Sequence, residues 1–295
     1  MSLVIQPPAA AVVPVVGAAG AAVLDAAGRE HGTSVGGAWH HRRPPGRAGR
    51  RQFDPSSPTE SNSMSHVIAA AAGGIVPVAG SRGETFPVHR IYCVGRNYVE
   101  HAKEMGFTGR EPPFFFMKPA DAVLPVAEGE VGRMPYPTLT KDLHHEVELV
   151  VAIGKAGKGI SAADAMGHVW GYAVGLDMTR RDLQGEAKKQ GRPWDIGKSF
   201  DHSAPIGPIR RAAECKVDAD TRITLEVNGT VRQQSTIGKL IWNLGEIIEH
   251  LSAAWELQPG DLIFTGTPEG VAAVSRGDVL KAEVAGVGSL QFTLV

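Results

Sequence analysis

Leu143-His144-His145-Glu146-Val147-Glu148-Leu149-Val150-Val151 is the stretch on which the fold turns. His145–Ile153 reads as a strand, with acidic and apolar residues alternating over Glu146–Leu149. Residues two apart on a strand share a face. Glu146 and Glu148 therefore point one way, and Val147, Leu149 and Val151 point the other, toward a core. Two adjacent carboxylates repel unless something neutralises them. A solvated strand face is the ordinary explanation of such a pair, but flanks of Val and Leu are too apolar for a casual surface.

Working outward, the segment Trp170–Leu176 reads as a second strand, and Asp177 closes it. An acid in that position is either a ligand or a cap for the helix expected over Thr179–Gln190. Val88–Val94, Asp261–Thr265, Val279–Val284 and Gly288–Leu294 read as further strands, and Phe114–Phe116 as a buried strand or wedge. Ile223–Val227 and Thr230–Gln234 flank Asn228-Gly229, a strong hairpin signal. Helices are expected over Asn97–Met105, Ser161–Val169 and Ile241–Trp255, with Ser161 and Asp164 as cap and partner. Strands outnumber helices and do not alternate with them regularly, which predicts an α+β fold.

Three carboxylates, Glu146, Glu148 and Asp177, with no thiolate nearby suit a hard cation with oxygen ligands, Mg²⁺ or Mn²⁺. His101 and Glu104 stand i, i+3 on one helical face. They are either a surface contact or an imidazole whose tautomer a carboxylate fixes. Arg181 and Gln184 have the same spacing, and are either a solvated face or donors to an anion. Lys198 lies between apolar neighbours, so either its stem packs while its head reaches water or its ammonium has a chemical task. Thr265-Gly266-Thr267-Pro268-Glu269-Gly270 is either only a turn, as most such segments are, or one whose Gly and Thr residues present amide and hydroxyl donors to an anion; Gly-Lys-Thr/Ser is absent, so it is no Walker loop.

The chain has 295 residues, 43% of them apolar, and a net charge of −1, ample for a core and without a nucleic-acid footprint. Two cysteines far apart, Cys93 and Cys215, exclude a disulfide framework and a multi-thiolate metal site. Cys93 reads as a small buried hydrophobe. The Ala/Val-rich segment Ala9–Leu24 is broken by Pro14 and Gly17 and lacks a basic flank. No membrane helix or signal peptide is expected, and a cytoplasmic enzyme is. Residues 1–63 hold six arginines and no lysine amid Ala, Gly and Pro. They are expected to be a low-complexity extension, disordered or outside the working enzyme, with residues 64–295 as the catalytic domain. A transit peptide fits less well, because the prolines and glycines oppose an amphipathic helix.

Read together, Gly95-Arg96-Asn97-Tyr98, His101, Glu104, His144-His145-Glu146-Val147-Glu148, Leu176-Asp177-Met178-Thr179, Arg181-Asp182, Gly197-Lys198-Ser199-Phe200 and Thr265–Val271 resemble the fumarylacetoacetate hydrolase family over roughly residues 75–295. Pro112–Pro119 is similar to the short acylpyruvases, bacterial fumarylpyruvate hydrolases above all. The resemblance implies a mixed β-sandwich or β-roll of the family's C-terminal-domain type and a homodimer. It implies Mg²⁺ or Mn²⁺ on Glu146, Glu148 and Asp177, and water activation by His101 and Glu104. Lys198, Arg181 and Gln184 are then expected to stabilise an oxyanion, with Thr267 a further substrate contact. The implied reaction is hydrolysis of a carbon–carbon bond in a small acylpyruvate, fumarylpyruvate first. Oxaloacetate decarboxylation or a related isomerisation is the enzymatic alternative. A carboxylate-binding scaffold on the same fold is the non-enzymatic one, and it predicts a broken acid set.

Overall fold

The computed structural model describes residues 67–68, 73–100 and 110–295. The expected helix Asn97–Met105 starts within them, with Val99 and Glu100 helical, but His101 and Glu104 lie outside the described residues.

The decisive stretch is a strand, Val147–Ile153, at the centre of an eight-stranded mixed sheet. The order across that sheet is Phe114–Lys118, Ile91–Gly95, Leu262–Phe264, Val147–Ile153, Val169–Leu176, Ala204–Ile206, Val123–Pro125, with Arg210–Arg211 pairing alongside Val169–Leu176. Leu262–Phe264 runs parallel to Ile91–Gly95, and Ala204–Ile206 parallel to Val123–Pro125; the other neighbours are antiparallel. A second sheet has the order Thr230–Thr236, Arg222–Val227, Val279–Val284, Gly288–Leu294, Gly132–Met134. Its first two strands form the expected hairpin over Asn228-Gly229.

The strand alternates as expected, but both of its faces are covered. Val147, Leu149, Val151 and Ile153 join Ile223, Leu225, Leu280, Ala282 and Phe292 in one core between the two sheets. Val150 and Ala152 face the other way and pack with Ile91, Cys93, Ala173, Leu262 and Phe264 in a second core. Each fully buried aliphatic side chain contributes about 1.5–3 kcal/mol. Register is therefore fixed firmly, since a slip by one residue would exchange the two faces.

Helices are few. Asn243 caps Leu244–Ala254 through a reciprocal bond pair with Glu246. Thr179-Arg180, expected to open a helix, is instead a short strand beside Leu143–His144, and the helix is Arg181–Lys189. The helix expected over Ser161–Val169 is only a 3₁₀ turn, Ala165–His168, although Ser161 and Asp164 do bond each other. Val169 belongs instead to the strand Val169–Leu176. Among the described residues no helix is long and apolar enough to cross a membrane.

Candidate functional site

Strand pairing builds the acid cluster. Val147 pairs with Leu176 and Glu148 with Gly175 in antiparallel register. The residue before one strand, Glu146, is thus set beside the residue after the other, Asp177, and the Asp177 N–H donates to the Glu146 carbonyl at 2.8 Å. Glu148, one step inside, joins them. One carboxylate oxygen from each of Glu146, Glu148 and Asp177 lies within 4.8 Å of the others, and all three side chains are buried. Asp177 caps no helix: the N-cap of Arg181–Lys189 is Arg180.

Cations surround the three acids. Lys198, 2% exposed, ends a short helix, Asp195–Lys198. Its ammonium donates to Glu146 Oε2 at 2.7 Å and to Asp177 Oδ2 at 2.6 Å. Its head does not reach water. Burial works against the Lys198 charge, yet Asp177 and Glu146 outweigh it and hold the group above the ordinary lysine range. Arg181 bonds Glu146 Oε1 and donates to Gln184 Oε1 at 2.8 Å, so the expected i, i+3 pair does face the cluster. Burial first, then Asp177 and Glu146, push the Glu148 carboxyl well above its usual range; the Gly266 amide, donating to Glu148 Oε2 at 2.7 Å, opposes them. Gly266 sits at φ +102°, and a Cβ there would meet Asn97 Cβ at 2.7 Å, so glycine is required for this bond.

Two contributors escaped the sequence reading. Lys118 is 1% exposed; its ammonium bonds the Met178 carbonyl at 3.3 Å and the Lys198 carbonyl, and lies 2.8 Å from Asp177 Oδ1. Its signal was the one Lys198 gave, a lone cation beside an apolar run. Gln233 donates to Thr267 Oγ1 and to the Pro268 carbonyl, both at 2.8 Å, and so holds the turn that carries Thr267. Thr267 is buried and lines the acid cavity.

Two features test whether this site suits a divalent cation. Asp177 Oδ1 is buried, with the Lys118 ammonium 2.8 Å away but no aligned hydrogen bond to it. The cavity lined by the three acids is about 20 Å³, room for one ion or water. Buried acidic oxygens converging in such a space fit Mg²⁺ or Mn²⁺. A cation held there would polarise an oxygen-rich ligand, with the Lys198, Arg181 and Gln184 side chains beside it.

Comparison with known proteins agrees. The family described as Fumarylacetoacetate (FAA) hydrolase C-terminal matches residues 90–295. The solved fumarylpyruvate hydrolase from Pseudomonas aeruginosa, in complex with Mn²⁺ and pyruvate, is 53% identical with a TM-score of 0.76, covering 78% of this chain and 99% of that one. The mitochondrial oxaloacetate tautomerase FAHD1 of Rattus norvegicus is 43% identical over 202 residues, 68% of this chain and 90% of that protein. The mitochondrial oxaloacetate decarboxylase of Dictyostelium discoideum is 38% identical over 207 residues, 70% of this chain and 94% of that protein.

Proposed function

The chain belongs to the fumarylacetoacetate hydrolase family, and from that premise we propose that it hydrolyses a carbon–carbon bond of an acylpyruvate, fumarylpyruvate first. The observation that carries the reading is the buried convergence of Glu146, Glu148 and Asp177 beside Lys198. The 53% identity to a fumarylpyruvate hydrolase solved with Mn²⁺ and pyruvate supports both the acyl group and the metal.

Glu146, Glu148 and Asp177 are the residues that hold Mg²⁺ or Mn²⁺. When bound, the cation supplies Lewis acidity to the keto-acid end of the substrate. His101, oriented by Glu104, takes a proton from water, and the water oxygen adds to the distal carbonyl carbon. Lys198 stays protonated between its two carboxylates and cannot serve as that base. With Arg181 and Gln184 it stabilises the tetrahedral oxyanion, an effect worth about 3–4 kcal/mol per well-placed donor. The bond between the distal carbonyl carbon and the methylene then breaks. The acyl part leaves as a carboxylic acid, and protonation of the methylene carbon completes pyruvate. Thr267 is a substrate contact, held by Gln233. The proposal includes a homodimer acting in the cytoplasm, as the family resemblance implies, with residues 64–295 as the catalytic domain.

Oxaloacetate chemistry, decarboxylation or tautomerisation, is the second reading, supported by the 43% and 38% identical relatives. It needs no activated water. The test is loss of fumarylpyruvate absorbance with Mn²⁺ and with EDTA, alongside oxaloacetate as rival substrate. For the hydrolase, EDTA abolishes cleavage, and His101→Ala lowers kcat about 10²–10⁴-fold while KM changes little. Equal losses on both substrates, or a rise in KM alone, would remove His101 as the base. No cleavage by the Mn²⁺-loaded wild type would end the hydrolase reading.

A further inference from the structure

Gln233 belongs to the second sheet, on the strand Thr230–Thr236, yet its side chain reaches the acid site. It is 1% exposed, and every hydrogen-bonding position of its amide is used. Two of the partners are backbone groups of fixed sense. The Val147 N–H can only donate, so the atom 3.1 Å from it is Oε1. The Pro268 carbonyl can only accept, so the atom 2.8 Å from it is the amide nitrogen. The amide therefore has one orientation, and the roles of its other two partners follow. His145 Nδ1, 2.9 Å from Oε1, carries a proton and donates it. Thr267 Oγ1, 2.8 Å from the amide nitrogen, accepts. In the neutral ring His145 Nε2 is then bare, and it is buried without a hydrogen-bond partner among the described residues.

An accepting hydroxyl keeps its own proton for another partner. Thr267 is 3% exposed and lines the cavity with Glu146, Glu148 and Asp177, and its proton goes to no protein acceptor among the described residues. The turn that carries it is held in place. The Thr265 N–H and hydroxyl both bond the Leu149 carbonyl, at 3.1 and 2.9 Å, and the Gly266 N–H bonds Glu148. At the far end of the turn a Cβ on Gly270 would fall 2.1 Å from the Arg232 carbonyl oxygen, so the turn lies directly against the strand that carries Gln233. We propose that Gln233 is a positioning residue for the 2-oxo acid end of the substrate: with its oxygen held by His145 and Val147, its nitrogen donates to Thr267 and commits that hydroxyl to donate to an anionic oxygen bound at the acids. The inference rests on the acylpyruvase reading for the ligand. Ionised carboxylates only accept, so an anion arriving beside three of them depends on donors. The bond from Gln233 turns the Thr267 proton away from its own side and leaves the cavity as the direction in which it finds an acceptor.

Calorimetry of pyruvate on the Mn²⁺-loaded protein tests this without relying on turnover. Thr267→Val removes the hydroxyl and keeps the shape, and should weaken pyruvate about ten- to a hundredfold, the scale of a hydrogen bond to a charged group. Thr267→Ser should stay within a few-fold of the wild type. In Gln233→Glu the carboxyl has one donor hydrogen at most where the amide has two, so Pro268 and Thr267 cannot both be served. That variant should weaken pyruvate by the same factor as Thr267→Val without loss of Mn²⁺ affinity, and combining the two should add little. Losses that multiply, a Gln233→Glu protein that binds pyruvate like the wild type, or a wild type that does not bind it would each overturn the proposal. Should Gln233→Glu fail to fold, the His145 tautomer in the Mg²⁺-loaded wild type decides. Nitrogen NMR of labelled histidine should show Nδ1 protonated and Nε2 bare, and the opposite tautomer would reject the orientation of Gln233. The hydrolase reading fails separately. Pyruvate binding that depends on Thr267 and Gln233, without cleavage of fumarylpyruvate, removes hydrolysis and keeps the role of Gln233. Cleavage by a protein whose pyruvate affinity ignores both residues does the reverse.

Discussion

Glu148 shows what one buried side chain in this site must do. Burial and its two acidic neighbours favour the neutral form, so its pKa is raised well above the 4.5 of a free glutamate. A raised carboxyl pKa in the fold gives stability that is present at low pH and lost as pH rises through the raised value. A divalent cation binds the ionised form, so metal binding expels a proton. Two outcomes follow. The melting midpoint of EDTA-treated protein should fall as pH rises above the ordinary glutamate range, and Mn²⁺ should raise it more at higher pH. Apparent Mn²⁺ binding heats should also differ between buffers of different ionisation enthalpy. Glu148→Gln should abolish that difference and weaken Mn²⁺ by at least the 10–100-fold seen for lesser changes around metal sites; unchanged affinity would reject Glu148 as a ligand. Lys118 is the counterpart. Lys118→Met removes a buried ammonium from beside Asp177 and from two carbonyls. Breaking such a pair costs about 3–5 kcal/mol, so the midpoint should drop by roughly 6–20 °C. Excess Mn²⁺ should recover part of the loss, because it binds the folded chain. A midpoint unmoved by the substitution would mean that Lys118 compensates nothing. The three acids were legible because their residue types and strand positions restrict their chemistry. Lys118 was not, because nothing in Phe-Phe-Phe-Met-Lys tells which way the lysine turns at the end of its strand.

Two short helices aim the donors. Arg181–Lys189 carries Arg181 and Gln184, and Asp195–Lys198 carries Lys198. They approach so closely that a Cβ on Gly197 would fall 2.8 Å from the Gln184 backbone nitrogen. Backbone cannot yield as a flexible side chain does, so Gly197→Ala must part the helices and move Lys198. A misplacement of about 1 Å in an active site costs on the order of 10²-fold in rate, and kcat should fall by that order with the fold intact by circular dichroism. Gly185 is the control: it lies in the first of these helices, and a Cβ added there would find nothing within 4 Å. Gly185→Ala should stabilise by about 0.5–1 kcal/mol without loss of rate. Equal effects from the two alanines would mean that helix propensity, not close approach, governs Gly197. Sequence patterning identified the hairpin, the central strands and a helix over Ile241–Trp255, observed as Leu244–Ala254 with an Asn243 cap that the patterning did not include. It misjudged Ser161–Val169 and Thr179-Arg180, where strand pairing with distant residues overrides a local helix signal.

At the scale of the molecule, the layering of two sheets on one core came from pairings far apart in sequence, such as Leu262–Phe264 between Ile91–Gly95 and Val147–Ile153. No local pattern encodes that order; the family resemblance supplied only the class, a mixed β-sandwich or β-roll. The two hydrophobic cores draw on residues from Val76 onward among the described residues, and the family match begins at residue 90. Residues 1–63 differ in kind: Ala, Gly and Pro with six arginines offer little large apolar surface to bury. Ordering one residue's backbone costs about 1–2 kcal/mol, so such a segment has little with which to offset a fixed place against the domain. A chain beginning at Met64 should therefore keep the kcat/KM of the full chain and a melting midpoint within about 2 °C, at most about 1 kcal/mol for a domain of this size. Limited proteolysis gives the same comparison without recloning, since early cleavage within residues 1–63 should leave an active fragment. A midpoint several degrees lower, or a large fall in kcat/KM, would show that the extension packs on the catalytic domain and that its composition was a poor guide.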